Sequence, residues 1–317
     1  MRAPGLGPAP GLAWLIGLRA PELPVHASPR VERYFRYLTE TSAGRSQVRG
    51  WLARGDAYRG IVQHVLRARG LPRDLEAVVA VESAYAPRAT SRNGAAGLWQ
   101  FMPATARAYG LSVGDELDER RSVRRSTEAA ARYLEDLDRR FGSWELALAA
   151  YDMGYGRLRA HLRTAPSSDY WAMAAAPGAL PEEVLQYVPK VLAVAIVLRN
   201  LGPYGFDEPS GEPVGATADV DVPGGTPLDL VARAAGTSVA GLRALNPELL
   251  AGHLPQREGS FVVHVPSSGA ARAATMLPRL LTPSRTGRDE TIHVGETFDW
   301  GADELPPRDE ARASGQP

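Results

Sequence analysis

From Leu71 to Ala195 one pattern keeps returning: apolar residues three and four positions apart, fenced by prolines and glycines. That spacing places them on one face of a helix, and it leaves little room for strands, which need alternation. One helix is expected from Pro72, with Asp74 and Glu76 in its opening turn, to the residues before Pro87. A short one should run from Pro103 to Tyr109-Gly110. Ser126–Phe141 carries Ala130, Tyr133, Leu134 and Leu137 on one face and stops at Gly142. Ser143 reads as the N-cap of the next helix, and a last one begins at Pro181. Residues 30–66 also read as mainly helical. The expected fold is mainly α.

In the first of these helices Leu75, Val78, Val79 and Glu82 follow the i, i+3, i+4, i+7 rule. Three are aliphatic and the fourth is ionisable. A carboxylate at the end of an apolar stripe loses solvation, which raises its pKa and suits it to donate a proton. It is equally the pattern of an acid solvated at the edge of a core, and the stripe alone leaves both readings open. The connection to the next helix carries Ser91, the turn Asn93-Gly94, Gly97, Gln100 and Met102. Polar groups on a loop between rigid helices are well placed to line a cleft.

Composition narrows the classes. The chain is 44% hydrophobic and 23% charged, which supports a core and excludes a wholly disordered chain. Thirty-six basic residues balance 36 acidic ones, and no basic cluster interleaves with aromatics, so nucleic acid is not an expected partner. Cysteine is absent, which excludes disulfides, thiolate metal sites, a cysteine nucleophile and a lipid-bearing cysteine. Six histidines lie scattered without ligand spacing, so no metal and no cofactor are expected. No run approaches the ~20 apolar residues of a membrane span.

Glu82-Ser83, Ser91, the run Gly94-Ala95-Ala96-Gly97-Leu98-Trp99-Gln100-Phe101-Met102-Pro103, and Thr105 together resemble the signature of the SLT-type lytic transglycosylases. Ala149-Ala150-Tyr151-Asp152-Met153-Gly154-Tyr155-Gly156 resembles that family's Ala-Tyr-Asn-Ala-Gly-x-Gly segment. Glu183-Val184-Leu185-Gln186-Tyr187-Val188-Pro189-Lys190 resembles its Glu-Thr-x-x-Tyr-Val-x-Lys segment. Asp118-Glu119-Arg120-Arg121 with Ser126-Thr127 narrows the resemblance to the membrane-bound lytic murein transglycosylase D type. The likeness runs from about Arg30 to Phe206, in blocks that keep their order.

The resemblance implies a lysozyme-like helical domain that cleaves peptidoglycan, with Glu82 as the single acid. Glu82 would protonate the oxygen between N-acetylmuramic acid and N-acetylglucosamine, and the sugar's own C6 hydroxyl would then close a 1,6-anhydro ring. Ser91, Gln100, Met102, Tyr151, Asp152, Glu183 and Tyr187 would line or support the substrate sites. Met102 and Tyr151 can equally be core, and Glu183 can simply serve the first turn of its helix. Two departures from the pattern stand out: Asp152 replaces the usual asparagine, and Ser122-Val123 replaces Asp-Pro. Asp152 keeps a hydrolytic lysozyme- or chitinase-like reading open, and an inactive peptidoglycan-binding scaffold is the third.

Residues 1–27 read as a signal peptide or a disordered leader, with an apolar run at Gly11–Leu18 interrupted by Arg19. Export to the periplasm or cell envelope follows from the implied substrate. Residues 28–206 form the expected catalytic domain, here taken as a monomer, and Pro- and Gly-rich residues 207–218 a linker. Residues 219–266 carry strand, helix, helix and strand signals with Asn246-Pro247 closing the second helix, and resemble a LysM module. That resemblance puts Gly225, Thr226, Leu245 and Asn246 on glycan-binding loops. Residues 267–317 read as mostly disordered, with Ile292–Phe298 similar to the opening of a second such module.

Overall fold

The computed structural model describes residues 15, 17–26, 28–208 and 217–281. Among the described residues nine α-helices precede residue 200: α1 (Pro29–Glu40), α2 (Ser42–Ala68), α3 (Glu76–Ser83), α4 (Pro103–Ala108), α5 (Val123–Phe141), α6 (Trp144–Met153), α7 (Tyr155–Leu162), α8 (Tyr170–Ala175) and α9 (Glu182–Arg199). The fold is mainly α, as the periodicity predicts. Ser143 does cap α6, its hydroxyl accepting from the Leu146 N–H at 3.3 Å. The expected start at Pro72 is displaced, because Arg73–Leu75 makes a 3-10 turn and α3 proper opens at Glu76.

α9 is the axle of this domain. It buries Val184, Val188, Val191, Leu192 and Ala195 and packs against α1, α3 and α6. A helix apolar on nearly every side must be covered on every side, and the surrounding helices do that. Leu75 in the 3-10 turn and Val78 and Val79 on α3 are all fully buried, so the stripe predicted from sequence faces the core.

The expectation that residues 1–27 stand apart from the fold fails for 17–26. Leu23 is 1% exposed within the main core. Beside it Glu22 accepts from the Arg73 backbone N–H at 2.8 Å and from the Arg73 and Arg199 guanidinium groups. Arg19 and Asn200 exchange two further hydrogen bonds. A buried leucine beside a carboxylate matched to two arginines is enough to dock a segment that composition alone assigned to a leader.

From Thr217, inside the expected linker, β1 (Thr217–Pro223), α10 (Leu228–Ala235), α11 (Val239–Leu245) and β2 (Ser260–Pro266) build a second unit. The strands pair antiparallel, Thr217 opposite Pro266 and Val220 opposite Val263. Val220, Val222, Val263 and Val265 turn inward onto Leu228, Val231 and Leu242. The expected order of strand, helix, helix, strand holds.

The expectation of disorder from Ser267 onward fails over Ser267–Leu281, which form α12. Its Ala273 and Leu277 complete the second core. Gly269 lets it approach α10 so closely that a Cβ there would lie 1.9 Å from the Ala235 carbonyl oxygen. The proposed second module at Ile292–Phe298 lies outside the described residues.

The two cores are stitched together by backbone. Residues 112–119, on the loop between α4 and α5, bring Leu117 into an antiparallel bridge with Leu249. Asp118 N–H donates to the Glu248 carbonyl and Leu250 N–H to the Glu116 carbonyl, each at 2.9 Å. The Leu117 side chain packs against the second core.

Candidate active site

Glu82 lies in the last turn of α3, and Ala84 ends that helix in the left-handed conformation (φ 51°). From α9, Tyr187 Oη donates to Glu82 Oε1 at 2.7 Å. Burial pushes the Glu82 carboxyl up, opposed by that hydrogen bond and by the charge of Lys190. The phenols of Tyr187 and Tyr151 are pushed well above their ordinary value, by burial first and by the charge of Glu82 second. Tyr187 therefore stays a hydrogen-bond donor across the accessible pH range.

Asp152, one residue beyond Tyr151 on α6, joins this group. Its carboxyl is pushed up to about 7 by burial, then by the charges of Glu183 and Glu82, with Arg157 opposing. Its Oδ2 is buried without a hydrogen-bond partner among the described residues. An unpaired buried oxygen is costly as a carboxylate and far less so as a neutral acid.

The loop Ser91–Met102 comes against the same helices, its Leu98 and Trp99 carbonyls accepting from Ser83 Oγ and Tyr151 Oη. Isolated bridges join Thr90 to Ala96 and Ala96 to Phe101. Ser91 Oγ accepts from the Ala95 N–H at 3.0 Å, and Gln100 Nε2 donates to the Gly97 carbonyl at 2.9 Å. Both side chains thus hold the loop's own shape. Gln100 itself has φ 48°, a strained value for a residue other than glycine. Met102 is 45% exposed, which rules out the core reading for it. Tyr151 is half-buried, and its Oη donates to the Trp99 carbonyl at 2.6 Å. Glu183 is exposed at the start of α9, one helical turn before Tyr187.

Residues 62–174 match the family model described as the transglycosylase SLT domain. That stretch is similar to an SLT domain. Along 198 residues the chain is 37% identical to membrane-bound lytic murein transglycosylase D of Escherichia coli K12, covering 61% of this chain and 43% of that protein. It is 34% identical over 173 residues to peptidoglycan transglycosylase gp16 of Escherichia phage T7, covering 53% of this chain and 12% of that one. The chain thus spans less than half the length of either relative. Among solved structures, an inactive mutant of lytic transglycosylase Slt from Pseudomonas aeruginosa aligns at 28% identity with TM-score 0.38. That alignment covers 47% of this chain and 24% of the other. The 70 kDa soluble lytic transglycosylase of Escherichia coli aligns at 25% identity with TM-score 0.40, over 49% and 25% of the two chains.

The SLT domain match includes Glu82, Ser91, Gln100, Met102, Tyr151 and Asp152. Glu183 and Tyr187, on α9, lie past its end. Sequence reasoning missed Lys190, although its i+3 spacing from Tyr187 marks it as facing the same way. It also gave no role to Arg120, whose guanidinium binds Asp118 through Nε and Nη2 at 2.8 Å each. Arg120 Nη1 reaches the Gly94 and Phe101 carbonyls at 2.7 and 3.0 Å. Gly97 (φ +84°) lies so close beneath that a Cβ there would be 1.7 Å from the Arg120 carbonyl oxygen.

Of the four expected glycan-contact residues in the second unit, two turn their side chains inward. Asn246 is 0% exposed, its side chain exchanging hydrogen bonds with the His264 backbone and donating to the Leu242 carbonyl. Thr226 is 3% exposed, and its hydroxyl donates to the Pro223 carbonyl at 2.7 Å. Thr226 thus fastens the turn that leads from β1 into α10, and Asn246 ties the end of α11 to β2. Gly225 and Leu245 are half-buried at the surface.

A cavity of about 320 Å³ lies at the other end of α3, lined by Arg19, Arg59, Arg73, Arg199, Asp74 and Glu76 among others. Arg59 is paired with Glu76, Arg73 with Glu22, and Arg199 with Glu22 and Asp74. It is a neutralised salt-bridge cluster. Among the described residues no group of His, Asp and Glu could hold a metal, and no helix is long and apolar enough to cross a membrane.

Proposed function

We propose that this chain is a peptidoglycan lytic transglycosylase with Glu82 as its single acid and base. The observation that carries this reading is a carboxyl pushed up by burial at the end of an apolar helix face, held by a tyrosine, inside an SLT domain. Protonated Glu82 donates to the glycosidic oxygen, and the bond from that oxygen to C1 of N-acetylmuramic acid breaks as C1 gains oxocarbenium character. Ionised Glu82 then takes the proton of the sugar's C6 hydroxyl while that oxygen bonds C1. The acid is regenerated, and no water is consumed. Tyr187 holds the carboxyl at the angle both transfers need. Such an enzyme works outside the cytoplasm, and the relative's name, membrane-bound, agrees with a place in the cell envelope.

Incubation with sacculi is expected to release muropeptides ending in 1,6-anhydromuramic acid, lighter by one water than the reducing sugar; mass spectrometry of the soluble products reads this directly. Reducing ends would reverse the assignment in favour of hydrolysis. One observation favours that second reading, the Asp152 carboxyl beside Glu82, since a second acid could guide water.

We assign the second unit, residues 219–266, to glycan binding as a LysM-like module. Its Gly224-Gly225 turn and Leu245 remain at the surface, whereas Thr226 and Asn246 hold its frame.

Asp152 makes a separate stability prediction. Its carboxyl is raised from 3.8 to about 7 in the folded chain. Between those values the folded state binds more protons than the unfolded one, so this residue's contribution to stability is full below 3.8 and is lost as pH rises through about 7. Asp152→Asn removes that dependence. Its melting temperature relative to the parent is expected to climb across the same window, as thermal unfolding at several pH values will show; a constant difference would refute the assignment of that titration to Asp152.

A further inference from the structure

The second unit touches the cleft loop both directly and through a short chain of bonds. Directly, Arg88, which precedes the loop, donates through Nη2 to the Arg243 carbonyl on α11 at 2.7 Å. The indirect route begins at the junction of Leu117 and Asp118 with residues 248 and 249. Asp118 there binds Arg120 in a two-pronged ion pair, and both side chains are almost fully buried. The remaining arm of Arg120 ties the Gly94 and Phe101 carbonyls. Next to it Arg121 donates to the Arg88 carbonyl at 2.7 Å and to Thr90 Oγ1 at 2.9 Å.

Those four acceptors bracket Ser91 and Gln100, and the last of them adjoins Met102. Nothing in that loop is held by a hydrophobic anchor of its own between Ser91 and Ala95, where the residues are exposed or half-buried. The part from Ala96 on is anchored by Leu98, Trp99 and Phe101 in the main core, with Gln100 strained and Gly97 pressed against the Arg120 backbone, whereas Ser91–Ala95 rests on hydrogen bonds. That outer stretch is only as fixed as the arginines that pin it. Arg120 in turn is fixed by Asp118, whose own N–H is held by the second unit through Glu248. Residues 112–119 are stiff enough to transmit this. Val113 bridges to Asp118, Gly114 N–H donates to the Leu117 carbonyl, and Glu119 accepts from the Ser112 N–H at 2.7 Å. Gln256 N–H and Glu116 Oε2 add a further tie at 3.2 Å.

The geometry points to a second task for the 217–266 unit: it braces the cleft wall, and Leu117, Asp118 and Arg120 are positioning residues for cleavage at Glu82. The unit is thus part of the active-site scaffold as well as a glycan-binding appendage. Cleavage of short glycans, which gain nothing from a distant binding module, depends on it too.

The test uses the full chain. Leu117→Asp places a charge in the second core and opens the junction; Leu250→Pro removes the N–H that bonds Glu116 and opens it from the other side. Hydrogen exchange is followed in peptides covering 91–102, 184–199 and 248–250, alongside kcat and KM on a soluble tetrasaccharide fragment of peptidoglycan glycan. Exchange in 91–102 is expected to speed up about tenfold together with 248–250, while 184–199 stays protected. A loosened wall misplaces the sugar, so kcat should fall about tenfold or more. Leu117→Met, which keeps the apolar contact, should restore both. If 248–250 opens while 91–102 and kcat stay as in the parent, the brace does not exist. If 184–199 loses protection as well, the junction holds the whole domain and the proposal is overturned. The kinetic arm rests on Glu82 being the acid and the exchange arm does not. A loop that loosens in a chain yielding no 1,6-anhydro product would fault the Glu82 reading and leave the brace standing.

Discussion

Glu82→Gln is expected to remove roughly 10²- to 10⁴-fold of the cleavage rate while leaving the fold intact. The amide keeps the shape of the side chain, and its carbonyl oxygen can still accept from Tyr187 Oη, which bonds Oε1 in the parent. What it lacks is a transferable proton. The change should also stabilise the chain at alkaline pH. Burial raises the folded-state pKa of Glu82, so the parent's stability falls as pH rises through that value, and a neutral amide escapes the fall. Loss of product from sacculi together with a higher melting temperature in mildly alkaline buffer is the signature of a residue kept for chemistry at a cost to the fold. Unchanged product release would end the case for Glu82.

Glu76→Ala is expected to act on stability and not on chemistry, with a loss of about 3–5 kcal/mol. Glu76 is 2% exposed and accepts from Arg59, Gln63 and Tyr85. Removing it leaves the Arg59 guanidinium, itself largely buried, without its counter-charge. It also frees Tyr85, which follows Ala84 in the left-handed region at φ 60° and is held there partly by this bond. Urea unfolding should show a lower midpoint with an unchanged slope. Adding Arg59→Met should recover part of the loss, since it removes the stranded charge. A midpoint equal to the parent's would mean that the three partners find water instead.

Glu76 also shows where sequence reading stops. The i, i+3, i+4, i+7 pattern made the α3 stripe legible, because helical period depends only on local spacing. Glu82 stood out for the same reason: it was the one ionisable member of an apolar face. Glu76 shares the helix but was read as an opening-turn acid, since its three partners come from α2 and from beyond the helix end. Such partners have no local spacing to betray them. Leu23 and α12 were missed on like grounds. Each lies in a stretch whose composition suggests a leader or a tail, and each is ordered by a surface supplied from elsewhere in the chain. In the site, Tyr187 came from a motif block, and Lys190 was within reach by spacing alone. Arg120 stood in a recognised block, but its task depends on a loop fold that no local pattern encodes.

The bridge between Leu117 and Leu249 also has a calorimetric meaning. A leucine from one domain sits against the core of the other, so neither core can come apart without exposing apolar surface in its neighbour. Two cores of very different size would, if merely tethered, melt at separate temperatures. Joined in this way, they are expected to share a single heat-absorption peak, which calorimetry reads directly; two separate peaks would mean that the junction does not couple them.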